Sequence, residues 1–121
     1  MTTVKYLFIL GILVLSCAAY AADPATKTVE AVNLESKQLN GKKVRITGKV
    51  VKVNNGIMKR NFLHIQDGSG KKDSNNITIT STQTAKVGDS VTIVGTVVVN
   101  KDFGFGYNYP VLVENSSIKV K

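Results

Sequence analysis

Hydrophobic and polar positions change their period along the 121-residue chain, and each change marks an element. Tyr6 to Leu15 is an apolar run broken only by Gly11, behind a short N-terminus carrying Lys5. A bilayer span needs about 20 apolar residues, and this run is shorter. Ala19-Tyr20-Ala21 follows with the small-x-small pattern that signal peptidase cleaves. The pattern predicts a signal peptide over residues 1–21, cleaved after Ala21, and export to the periplasm or beyond. Val14-Leu15-Ser16-Cys17 offers a competing reading as a lipobox, in which Cys17 would carry a lipid anchor. Residues 22–41 read as a polar N-terminal extension with weak helical character. Val29, Val32 and Leu39 fall near one face, and Gly41 stands where a helix C-cap would.

From Lys43 the period becomes two. Val44, Ile46, Gly48 and Val50 alternate with Arg45, Thr47 and Lys49, which predicts a half-buried strand ended by the turn residues Asn54-Asn55-Gly56. A second strand runs from Phe62 to Asp67, with Leu63 and Ile65 on one face and Phe62, His64 and Gln66 on the other. Asp67-Gly68-Ser69-Gly70 breaks the chain before a polar loop. Ile77 and Ile79 define a third strand, Ser90 to about Asn100 a fourth, and Tyr109 to Val120 a fifth, interrupted near Asn115-Ser116. Residues 42–121 therefore predict a small all-β domain, a five-stranded closed sheet. Val44 to Val51 echoes Val91 to Val98, with Gly48 and Gly95 at the same place. Glycine inside a long strand marks a bulge or tight bend, which lets one strand serve two sides of a barrel.

Three blocks resemble the bacterial secreted single-domain OB-fold proteins: Gly41 to Asn54, Gly56 to Gly70, and Lys86-Val87-Gly88-Asp89, continued by Lys101 to Tyr107. The similarity spans nearly all of the chain after Val29. Such proteins often have Gly where Lys59 stands and Trp where Phe62 stands. The resemblance implies an exported five-stranded OB barrel, with single-stranded nucleic acid as one class of ligand. Some relatives accompany multihaem nitrite reductase systems, which implies an alternative: an accessory factor for an envelope redox or stress system, docking an envelope protein.

Composition narrows the chemistry. With one Cys and one His there is neither an intramolecular disulfide nor a multi-cysteine zinc site. His64 and Asp67, an odd number of residues apart on a strand, should project to opposite faces, and the other carboxylates are scattered among turns. We therefore expect no enzyme, no cofactor and no metal. Gly68-Ser69-Gly70-Lys71-Lys72 lacks the hydroxyl residue and leading glycine of a phosphate loop. The alternating Asp67, Ser69, Lys71 and Asp73 lack the closing glutamate of a calcium loop, with Thr78 in its place. Both read as turns.

The formal charge of +8 is local. Lys42, Lys43, Arg45, Lys49, Lys52, Lys59 and Arg60 follow one another with no acidic residue between them. Arg45 and Lys49 should face solvent beside Phe62, His64 and Gln66, with Lys59 and Arg60 on the adjoining loop. A second wall comes from Asp102 to Pro110, where Phe103, Phe105, Tyr107 and Tyr109 alternate with other residues. Aromatic rings beside a basic groove hold single-stranded nucleic acid. The same rings also suit capping of the barrel end. The expectation is a non-catalytic, monomeric binding module for an anionic ligand: single-stranded nucleic acid, oligosaccharide or small anion. Its site would comprise Arg45, Lys49, Lys59, Arg60, Phe62, His64, Gln66, Phe103, Phe105 and Tyr107.

Overall fold

The alternation that begins at Lys43 becomes one 15-residue strand that bends around the molecule. The computed structural model describes residues 23–121, so the signal-peptide and Cys17 readings lie outside the described residues. In chain order the elements are β1 (Ala25–Thr26), α1 (Val29–Leu34), α2 (Ser36–Leu39), β2 (Lys43–Ile57), β3 (Arg60–Gln66), β4 (Ile77–Ser81), β5 (Ser90–Asp102) and β6 (Asn108–Val120). Neighbours run β2–β3–β4–β6–β5, and β5 pairs back onto β2, closing a ring of five strands. β4 and β6 are parallel, the other ring pairs are antiparallel, and β1 adds a short parallel edge to β2. The expected small all-β fold is therefore present.

The echoed glycines make the closure sterically feasible. Residues 43–49 of β2 pair with β5, while residues 49–57 pair with β3. Gly48 sits just before the change of partner, where a Cβ would lie 2.7 Å from the Gln66 carbonyl oxygen and 2.8 Å from Ile65 Cγ2. Gly95 sits opposite a bulge in β6, where a Cβ would meet Ser116 Oγ and approach Val113 Cγ1 to 2.8 Å. The interruption expected near Asn115 is that bulge, with Asn115 at φ +52° inside a continuous β6.

Inward residues of every ring strand, among them Ile46, Leu63, Ile79 and Ile93, form one apolar cluster. Val29, Val32 and Leu39 of the helical segment join it. Helices this short have little stability of their own, so packing and caps must hold them. Thr28 Oγ1 accepts from Ala31 N at 3.0 Å, Asp67 Oδ2 from Val29 N at 3.0 Å and Ser69 Oγ from Glu30 N at 3.0 Å. The Asp67 to Gly70 turn thus caps α1 and ties it to the end of β3.

One turn lies elsewhere than expected. Asn54-Asn55-Gly56 stays inside β2 as a bulge, and the chain reverses at Met58-Lys59. Met58 and Lys59 have φ +53° and +64°, the doubly positive pattern of a two-residue hairpin turn that usually takes Asn-Gly. Side chains hold the bulge: Asn61 Oδ1 accepts from Gly56 N at 3.0 Å, and Thr84 Oγ1 donates to Asn55 Oδ1 at 2.8 Å.

Candidate functional site

β5 and β6 outrun the ring. The β2 ladder ends at Thr96 and the β4 ladder begins at Leu112, so the two strands continue to Asp102 and Asn108 paired with each other. A lone two-stranded ribbon is marginal in water. Phe103 and Tyr109 anchor this one on Phe62, with centroids 5.6 Å away edge-on and 5.7 Å away stacked. The Arg60 guanidinium lies 5.1 Å and Lys101 Nζ 5.3 Å from the Phe103 centroid. A cation over a ring face gains from the ring quadrupole. Lys101 Nζ is also 3.7 Å from Glu114 Oε2.

This corrects the expectation that Phe62 faces solvent. It is 2% exposed, because a segment far along the chain folds over the outer face of β3. The four loop aromatics divide: Phe103 and Tyr109 turn inward, while Phe105 is 95% and Tyr107 41% exposed. Phe103 N donates to the Tyr107 carbonyl at 2.9 Å and Gly104 N to Asp102 Oδ1 at 2.7 Å, closing the loop. At its tip Gly104, Phe105 and Gly106 have φ of +84°, +54° and +82°. Positive φ strains a phenylalanine, and here the strain presents its ring to water.

The basic candidates separate as well. Lys49 lies opposite Gln66, and Lys59 and Arg60 form the β2–β3 turn region beside Phe103. Arg45 does not join them: it pairs with Val94 of β5, and Nη1 donates to Thr26 Oγ1 at 3.2 Å. The residue opposite His64 is Lys52, which strict alternation assigns to the inward side. A register shift between Val50 and Lys52 reverses the parity. Lys52, part of the basic run but not of the expected site, and Lys101, outside both, are thus cations that period two alone did not place here.

His64 is half-buried, its Nδ1 3.2 Å from Asn76 Oδ1. Burial pushes the imidazole below its ordinary value of 6.5; the Asn76 hydrogen bond opposes this and the Lys52 charge adds to it. The ring is therefore neutral at neutral pH, with Nδ1 donating to Asn76. Burial alone would raise Asp67, but the Ser69 hydroxyl and the Val29 and Ser69 amides hold it below the usual carboxylate range. Its oxygens are occupied in capping α1, so this carboxylate is not a partner for His64.

Two concavities flank these residues. One of about 460 Å³ is lined by Thr47, Gly48, Lys49, Gln66 and Lys121. The other, about 590 Å³, lies between the 71–76 loop and the start of β6, and includes Tyr109. Among the described residues no helix is long and apolar enough to cross a membrane.

No protein-family model matches the chain, and no curated protein matches it. Solved structures do. A crystal structure assigned as an aspartyl-tRNA synthetase of Leishmania major Friedlin matches at TM-score 0.57 and 14% identity over 85% of this chain. This chain spans 22% of that synthetase chain. A chain from the complex of OBody AM3L09 with hen egg-white lysozyme matches at TM-score 0.51 and 15% identity, over 69% of this chain and 84% of that one. At these identities the likeness is one of fold.

Proposed function

We propose that this chain is an exported, non-catalytic binding module built on an OB-type barrel, and that its ligand is a single-stranded nucleic acid or a chain anion of similar character. The ring order β2–β3–β4–β6–β5–β2 supports the OB reading. OB folds bind chain ligands on the face of their second and third strands, between the first hairpin loop and the loop joining their last two strands. In this chain those map to β3 and β4, the Met58-Lys59 turn and the Phe103–Tyr107 loop. β4 and Phe62 are buried, so the surface left to a chain ligand is the half-buried Arg60, His64 and Gln66 of β3 with the turn and the loop. Export rests on the sequence of residues 1–21, with lipid attachment at Cys17 as the alternative processing.

The observation that carries the proposal is Phe105: a ring 95% exposed, held at positive φ, beyond a stem where Arg60 and Lys101 flank Phe103. Base stacking on such a ring contributes about 1–3 kcal/mol per base. Fluorescence anisotropy with a labelled twelve-nucleotide dT probe tests it. Binding should weaken steeply with salt, and Lys59→Ala/Arg60→Ala should flatten the logarithmic salt dependence by about one for each phosphate left without its cation. Phe105→Gly should weaken binding while leaving the salt slope unchanged. Unaltered affinity in both variants would overturn the assignment, and stronger competition by an acidic polysaccharide would move it to that ligand class.

A further inference from the structure

We infer that the groove between the 71–76 loop and the start of β6 is a second site, adjoining the proposed chain-ligand face at Thr78 and Tyr109 but distinct from the Met58-Lys59 turn and the Phe103–Tyr107 loop. It takes a small amphiphilic anion: an aromatic or branched apolar body with one phosphate or carboxylate head. Its volume of about 590 Å³ falls within the range of about 300–1,000 Å³ usual for small-ligand sites. Tyr109, Pro110 and Val111 form an apolar side, and Leu34 at the end of α1 adds a large side chain that is 70% exposed. Lys71 and Lys72 stand on the opposite lip with Asp73, and neither lysine has an ion-pair partner among the described residues. The lip therefore carries one net positive charge. That balance suits a single anionic head group, whereas a polyanion would meet Asp73.

The groove is built before any ligand arrives. The Asn33 side-chain amide donates to the carbonyls of Ser74 at 3.2 Å and Asn76 at 3.0 Å, fixing the lip to α1. Lys71 N donates to Ser74 Oγ at 3.0 Å, Ser74 N donates to the Lys71 carbonyl at 2.9 Å, and Gly70 packs beneath Ser74 with no room for a Cβ. Tyr109 is held by stacking on Phe62. Binding thus has little loop entropy to overcome.

The test is an amide NMR titration of the labelled protein with 1-naphthyl phosphate, and with uncharged 1-naphthol for comparison. Saturable shifts at Leu34, Asn76, Thr78 and Val111 are expected, with 1-naphthol at least tenfold weaker. Lys71→Glu/Lys72→Glu and, separately, Leu34→Asp should each weaken 1-naphthyl phosphate at least tenfold; both change exposed side chains, so the spectrum should stay folded. Lys59→Ala/Arg60→Ala should leave this affinity unchanged, which separates failure here from failure of the nucleic-acid reading. Equal binding of 1-naphthol would overturn the anion requirement. Shifts confined to residues 101–107, or none at millimolar probe, would overturn the site. Displacement of 1-naphthyl phosphate by the dT probe would overturn its separateness.

Discussion

Phe62 is 2% exposed and Phe105 is 95% exposed, and each value decides how a substitution behaves. Phe62→Ala removes a ring that two others pack against, so urea unfolding should show a loss of about 3 kcal/mol. Phe105→Gly removes no packing and relieves a positive φ, so stability should rise by about 1 kcal/mol while nucleic-acid affinity falls. A stability gain together with unchanged affinity would make Phe105 a passive turn residue. His64 gives a pH signature. Its native value lies below 6.5, so the unfolded chain binds the proton more readily. Stability from this residue is complete above 6.5 and is lost as pH falls through the lowered native value. Denaturant titrations in that window should show the loss, and His64→Gln should abolish it. The sequence marked His64 and Phe62 as outward-facing because period two assigns a face. It could not say what covers that face, since the cover comes from Phe103 and Tyr109, remote in the chain.

At the level of elements, the mid-strand glycines were legible and the β2–β3 turn was not. A mid-strand Gly in two echoed segments signalled bending, and the close approaches at Gly48 and Gly95 give the cause. Gly48→Ala should cost about 1–3 kcal/mol, because the atom it meets on Gln66 is backbone and cannot rotate away. The β2–β3 turn escaped prediction because Asn61 and Thr84 stabilise a bulge where Asn54-Asn55-Gly56 offered a turn, moving the reversal to residues that rarely adopt it. Lys59 stands at φ +64°, a conformation that favours Gly. Lys59→Gly should therefore stabilise the hairpin by some tenths to about 1 kcal/mol, read as a shift in urea midpoint. At the other end of the ring, Asp67→Ala removes the oxygen that accepts from Val29 N. Loss of such a cap costs about 0.5–2 kcal/mol, and circular dichroism and hydrogen exchange should place it in α1.

Across the whole molecule, the run of cations from Lys42 to Arg60 is contiguous in sequence and dispersed in space. A strand rises about 3.3 Å per residue, so β2 carries its charges tens of ångströms around the ring. Arg45 ends near Thr26, Lys49 near Gln66, Lys52 near His64, and Arg60 over Phe103. Single charge reversals at Arg45 and at Arg60 should therefore differ: the first should leave dT binding nearly unchanged, and the second should weaken it several-fold. The closed sheet was readable because hydrophobic alternation in five segments reports directly on one shared core. The site was only partly readable, because it depends on which outer faces later segments cover and on one parity change at Val50–Lys52.

The ribbon formed by the ends of β5 and β6 is a cantilever: clamped in the ring at one end and resting on the Phe62 ring near the other. A beam so supported is lifted by losing one bearing, with the clamp and the core untouched. Local opening should therefore bare Phe62, Phe103 and Tyr109 together at a free energy well below that of global unfolding. Amide exchange in residues 98–110 should be faster than in β3 or β4, with a denaturant dependence smaller than that of global unfolding, and Phe62→Ala should accelerate it further.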